Sequence, residues 1–290
     1  MPGDTPISWC ESSWNPHHGC FKVSEGCQNC NAERTSFHRY GHTDDEWTVS
    51  NAESNITLQE HHLEWPSTLD EPQRIFVNSM SDLFLPPAFV PDDHLHRIFD
   101  EIEANPEHVF IALTKHGTEI GGRHPEEARI LQWDREYGRW PDNLWMGVSI
   151  GTNGRAYRAE CLRWTGAATK WISFEPLVGP IEDPHGTLAG IDWALAGGES
   201  GGEERREMDH AWARDIRDAA EQLGIPFYFK QSSGSKQGHE PELAEAGANA
   251  QEAAWQGEGT TLYRELPELT DELREHRPDL AECEVRPDAE

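Results

Sequence analysis

Short apolar runs rich in β-branched and aromatic residues recur along the chain, at Ile75–Val77, Val109–Leu113, Leu144–Val148, Trp171–Phe174, Ile191–Ala196 and Phe227–Phe229. Their apolar positions are consecutive rather than alternate, the pattern of strands buried on both faces of a parallel sheet. Between them the period changes to that of a helix. Leu95, Ile98, Phe99 and Ile102 fall at i, i+3, i+4 and i+7 behind a Pro91-Asp92 start. Further on, Asp209 can cap a helix whose Trp212, Ile216, Ala219, Ala220 and Leu223 share one face and which Gly224 ends. With one more strand expected at Pro6–Trp9, the alternation predicts an α/β fold: a full or partial (β/α) TIM-type barrel with parallel strands. No dinucleotide-binding glycine fingerprint follows the first strand, which weighs against an open doubly wound sheet.

Residues 1–235 carry this alternation, with a cysteine-rich loop near the N-terminus, and form the expected barrel domain. Two polar excursions, 41–72 and 117–143, are candidate lids over its mouth. Residues 236–290 are acidic and punctuated by proline, and are expected to be a partly disordered extension. No internal repeat is visible.

No apolar run approaches the roughly 20 residues that span a bilayer, so no membrane association is expected. MPGDTPISWC has neither the basic region nor the apolar stretch of a secretory signal, which predicts a cytoplasmic protein. There, clustered cysteines bind metal or do chemistry more often than they form disulfides. The net charge is −29, from 53 acidic and 24 basic residues, and most of the basic residues are arginine. Such a field repels phosphate backbones and leaves no basic track for nucleic acid. An acidic, lysine-poor surface is also what a halophilic protein shows, because high salt screens its self-repulsion.

The expected strands end in polar clusters: Asn78-Ser79-Met80-Ser81-Asp82, Thr114-Lys115, Ser149, Glu175-Pro176, Gly197-Gly198-Glu199-Ser200 and Lys230-Gln231. In a (β/α) barrel these ends converge on one face, where active sites are built. Three cysteines, Cys20, Cys27 and Cys30, lie in the loop GCFKVSEGCQNCNAER. Their spacing admits three readings. A [4Fe–4S] cluster would take three thiolates and keep one iron open. A structural zinc would add Cys10, His17 or His18 and close a tetrahedron. The third reading is inert thiols. Cys161 is expected inside a helix and Cys283 in the tail.

The runs SWNPHHGCFKVSEGCQNCNAER, RIFVNSMSDLF, LTK, LWMGVSI, ISFEPLVGPI, IDWALAGGESG and PFYFKQ, in this order, resemble a phage- and provirus-encoded family of three-cysteine-motif proteins of unknown function. That family is regarded as similar to radical S-adenosylmethionine (SAM) enzymes and often accompanies a separate three-Cys-motif partner protein. The resemblance implies that Cys20, Cys27 and Cys30 ligate a [4Fe–4S] cluster whose open iron binds SAM. It further implies that an electron from the cluster gives a 5′-deoxyadenosyl radical that modifies a substrate, with nucleic acid as one candidate. Asn78, Ser79, Ser81 and Asp82, with Ser149, become candidates for holding SAM. Glu175 and Glu199 become candidates for its ribose or for substrate, and Lys115 and Lys230 for a carboxylate or phosphate. The alternative is a zinc-stabilised barrel or nucleic-acid-associated binding protein with a structural cysteine loop. A third reading is an electron-transfer cluster protein with Cys10 as fourth ligand.

Overall fold

The computed structural model describes residues 2–41, 45–119, 127–245 and 259–267. Its main sheet has eight strands: β1 (Gly3–Asp4), β2 (Ser12–Trp14), β3 (Arg74–Val77), β4 (Val109–Thr114), β5 (Leu144–Ser149), β6 (Thr169–Phe174), β7 (Trp193–Gly197) and β8 (Phe227–Gln231). They lie in sequence order, and every neighbouring pair is parallel except β1 with β2. This is a mostly parallel, mixed α/β architecture. The hydrogen-bonded ladder runs from β1 to β8, and among the described residues β8 does not pair with β1, so of the expected full or partial barrel the mostly parallel sheet is seen and a closed barrel is not.

The alternation of side chains across each strand builds two cores. Phe110 and Ala112 of β4, Met146 and Val148 of β5, and Ile172 and Phe174 of β6 point to one face. There they meet α2 (Asp92–Ala104), α3 (Arg129–Tyr137), α4 (Tyr157–Arg163), α5 (Pro184–Leu188) and α6 (His210–Leu223), which follow the short cysteine-loop helix α1 (Asn31–Thr35). Val109, Ile111, Trp145, Trp171, Trp193 and Tyr228 point to the other face and pack with Trp9. Trp9 touches Phe76 of β3 and Trp193 of β7, with ring centroids 4.7 and 6.1 Å apart, so the sheet is concave around it. The two ends of the sheet also meet, since Tyr228 donates to the Ser8 hydroxyl at 2.6 Å.

The edge of β8 is covered by a later segment. Phe229 N–H donates to the Tyr263 carbonyl and Glu265 N–H to the Phe227 carbonyl, and Arg264 pairs with Tyr228. Past residue 235 the chain therefore continues to pack, with Leu243 and Ala244 buried. Cys283 and the end of the acidic extension lie outside the described residues.

The first expected strand needs correction. Ile7–Cys10 is a turn closed by Cys10 N–H on the Ile7 carbonyl, and the first parallel strand is the more polar Ser12–Trp14. Pro6 and the demand for Trp9 in the concave core place the apolar run in the plug rather than the ladder. The second long helix is close to expectation: Asp209 caps it by accepting from Ala211 N–H and Gly224 ends it at φ 69°, but Leu223 is exposed. Of the two excursions, 45–72 packs beside the cysteine loop, where Trp14 donates to the His62 carbonyl, while the described part of the second contains α3 on the outer layer.

Gly147 faces the concave side, where Trp171 lies flat across β5 and donates its indole N–H to the Ala112 and Trp145 carbonyls. A Cβ at Gly147 would stand 2.3 Å from that indole. Gly147→Ala is therefore expected to destabilise the protein by about 2 kcal/mol, read as a lower denaturant midpoint with an unchanged slope.

Candidate functional site

The concave face is filled with indoles towards the N-terminal ends of its strands and open towards their C-terminal ends. A cavity of about 380 Å³ lies there, lined by Ser79 after β3, Lys115 after β4, Ser149 of β5, Ser173 of β6 and Glu175 just after it, Glu199 after β7 and Lys230 of β8. Sequentially ordered parallel strands bring these seven residues, spread over more than half of the chain, to one wall. Phe76 and Leu113 form its apolar floor with Trp9 and Trp171.

The cysteine loop roofs the cavity. It starts at Gly19, whose φ of 82° and approach to the Asn55 carbonyl, 1.9 Å from a hypothetical Cβ, admit no side chain. Gly19 N–H donates to the Met80 carbonyl, and the Ser81 hydroxyl donates to the Gly19 carbonyl at 2.5 Å. Farther on, the Glu25 carboxylate accepts from Thr152 at 2.6 Å and Arg155 at 3.0 Å, just past β5. Burial pushes Glu25 up, but Arg155 and Thr152 outweigh it and hold its pKa at about 2. Between the last two cysteines, Asn29 donates to Glu199 at 2.8 Å, and Arg206 pairs with Glu199 while donating to the Glu25 carbonyl at 2.9 Å.

Cys20, Cys27 and Cys30 are free thiols on this roof, and Cys30 lines the cavity directly. Burial raises Cys20 well above the ordinary thiol range, helped by Asp82 and by the two other sulfurs. Burial also raises Cys30, with Cys27 adding to it. At Cys27 burial is outweighed by the Lys115 ammonium and the Ser24 hydroxyl, which lower its pKa. His116 completes the setting: its Nε2 lies 2.8 Å from the Phe21 carbonyl and 3.2 Å from the Cys20 sulfur, with its ring edge-on to Phe21. If all three sulfurs ionised they would repel one another in this buried setting, and a cationic group bound among them would offset that repulsion. Among the described residues no group of three His, Cys, Asp or Glu side chains is gathered around a single-ion position. A cubane engages each sulfur at a separate iron and so spreads its ligands more widely.

The sequence candidates divide into two sets. Ser79, Lys115, Ser149, Glu175, Glu199 and Lys230 reach the cavity wall, and Lys230 holds Glu175 at 2.7 Å. Asn78, Ser81 and Asp82 instead brace the loop. Asn78 lies against His17, and the Asp82 carboxylate accepts from Thr114, Phe84 N–H, Lys115 N–H and His116 N–H. Burial pushes Asp82 up, but His116 and these donors outweigh it and keep its pKa below the usual value. Glu199 lines the wall, yet its oxygens are occupied by Asn29 and Arg206.

Cys10 sits in the concave aromatic core, where burial and then Glu11 raise its pKa, and Cys161 is buried in α4. His17 is buried against the Asp82 carbonyl, and burial lowers its pKa to about 4. His116, Asn29 and Arg206 were missed at the sequence level. The position of His116 directly after Lys115 at a strand end was the only signal for it.

The fold and site together define a parallel α/β protein whose three-cysteine loop closes over a charged cavity at the strand ends. The chain belongs to the family described as protein of unknown function (DUF5131), whose model matches residues 4–267. No curated protein and no solved structure matches it. No helix among the described residues is long and apolar enough to cross a membrane.

Arg206→Ala leaves the nearly buried Glu199 carboxylate without its cation. The expected loss is about 2 kcal/mol, less than for a fully buried pair because Arg206 is about a third exposed. Adding Glu199→Gln should recover most of it in the same denaturation experiment.

Proposed function

We propose that this protein is a radical-SAM-like iron–sulfur enzyme acting on a substrate held in the cavity beneath the cysteine loop. The observation that carries the reading is the placement of Cys20, Cys27 and Cys30 on one braced loop, with Cys30 lining the cavity that also bears Lys115, Glu175 and Lys230 and with Cys27 near the Lys115 ammonium. These cysteines would hold a [4Fe–4S] cluster. When bound, that group would supply the electron for reductive cleavage of SAM and so the radical chemistry for removing a hydrogen atom from the substrate.

The chain's own residues bind, orient and exclude water. Ser79, Ser149 and Ser173 offer hydroxyls along the wall, with Ser149 3.5 Å from the Glu175 carbonyl. The Glu175–Lys230 pair is internally neutral and leaves further donor and acceptor positions towards the cavity. Phe76 and Leu113 provide an apolar floor, which limits water around a reactive intermediate. The resemblance to phage- and provirus-encoded three-cysteine proteins adds a separate three-Cys-motif partner and a nucleic-acid substrate to this proposal.

One contact favours a second reading. His116 Nε2, 3.2 Å from the Cys20 sulfur, is placed to complete a Cys3His zinc site in a structural loop. Its 2.8 Å approach to the Phe21 carbonyl requires a proton on Nε2, which fits a donor to the sulfur better than a metal ligand.

Anaerobic reconstitution with iron and sulfide, followed by electron paramagnetic resonance of the reduced protein, separates the readings. A cluster signal that changes on adding SAM is expected, and zinc with no cluster signal would sink the proposal. Cys20→Ala, Cys27→Ala and Cys30→Ala are each expected to abolish cluster assembly while retaining native circular dichroism. His116→Gln is expected to keep the cluster, whereas a zinc site deprived of a direct ligand would lose more than the roughly 100-fold in metal affinity that losing an outer-shell partner costs, read by chelator competition.

A further inference from the structure

The chain contains five lysines, at positions 22, 115, 170, 230 and 236. Two of the five, Lys115 and Lys230, face the cavity beneath the cysteine loop. A sequence that has largely replaced lysine by arginine, and whose net charge is −29, thus keeps two point cations in its interior. Their surroundings differ. Lys230 is closed onto Glu175 at 2.7 Å, and Glu199 is closed onto Arg206. Asp4 belongs to the exposed outer rim. Among the described residues no carboxylate pairs with the Lys115 ammonium, although its backbone N–H is fixed by Asp82 at 2.6 Å. Its side chain runs alongside the roof, with Cε 3.9 Å from where a Cβ on Gly26 would stand.

The floor carries the complementary information. Phe76 and Leu113 lie in the central strands β3 and β4, yet both keep some accessible surface, and both line this cavity. Apolar residues inside a sheet covered on both faces become accessible only where the cavity reaches them. The space is about 380 Å³, at the small end of the range for ligand pockets, so it suits a small molecule or one extruded group rather than a segment of folded chain.

We propose that the cavity takes an organic anion, a carboxylate or phosphate ester with an apolar body, whose charge is met by Lys115 and whose body lies on Phe76 and Leu113. The inference rests on the cavity being the reaction site, as proposed above, and not on the metal. Within a strongly acidic protein an interior cation that no described carboxylate neutralises is what makes an anion favourable at all, because low-dielectric walls focus its field. The ammonium acts as a point charge, so it serves either anion without demanding bidentate geometry.

The test is isothermal titration of the full chain at constant ionic strength with benzoate, phenyl phosphate and benzamide, on metal-free and on iron-reconstituted protein. One of the two anions is expected to bind at least about tenfold more tightly than neutral benzamide, and which one binds identifies the anionic group. Lys115→Gln should lose about tenfold or more for that anion with benzamide unchanged, and Lys115→Arg should retain it. Equal binding of anion and benzamide, no anion binding, or an unaltered Lys115→Gln variant would each overturn the proposal. So would a loss seen only in Lys230→Gln. If Lys115 serves only the thiolates, Lys115→Gln changes iron loading and leaves the titration untouched. The iron content of the wild-type protein reads the cluster proposal separately, so either idea can fail alone.

Discussion

The buried carboxylate of Asp82 joins the sheet to the cysteine loop. One oxygen accepts from the Thr114 hydroxyl and Phe84 N–H, and the other from the N–H groups of Lys115 and His116. Its own carbonyl meets His17. A buried carboxylate with this many donors stays ionised and costs little, whereas the same group with fewer donors would be expensive to bury. Through these contacts Asp82 orients the turn after β4. That turn carries Lys115 to the cavity and His116 to the Phe21 carbonyl and the Cys20 sulfur.

The rest of the site follows a similar logic of partial neutralisation. Glu25 is matched by Arg155 and Thr152, Glu199 by Arg206 and Asn29, and Glu175 by Lys230. Each pair ties a different strand end to the roof or wall, so the loop is held by contacts from residues far apart in the chain. Such contacts between residues remote in sequence carry a loop-closure entropy that packing of the sheet offsets. The cysteine loop has little regular structure of its own, and its shape comes from these anchors.

The apolar runs that built β3 to β8 were legible because a parallel strand buried on both faces has no polar positions to blur the pattern. The first strand was not legible. Ser12–Trp14 has the polarity of a loop, and its place in the ladder depends on its neighbour β3, while Pro6–Trp9 looked like a strand because Trp9 and Ile7 are needed as a plug. The cavity residues Lys115, Ser149, Glu175 and Lys230 were visible as polar ends to apolar runs. Asn78, Ser81 and Asp82 carried the same signal but brace the loop, since a polar residue past a strand can turn to the ligand side or to the adjoining chain. Local sequence does not distinguish the two.

The sequence by itself determined six of the strands, the two long helices after Pro91 and Asp209, the three closely spaced cysteines and the acidic balance, because these depend on periodicity, spacing and composition. Only the tertiary structure decided that the strands line up in sequence order in one mostly parallel sheet, that Cys10 belongs to the aromatic core, and that no carboxylate among the described residues pairs with Lys115. These are properties of distance between residues remote in sequence. The spacing of cysteines names three sulfurs on one short loop, but the packing of four separate strand-end loops decides what lies beneath them.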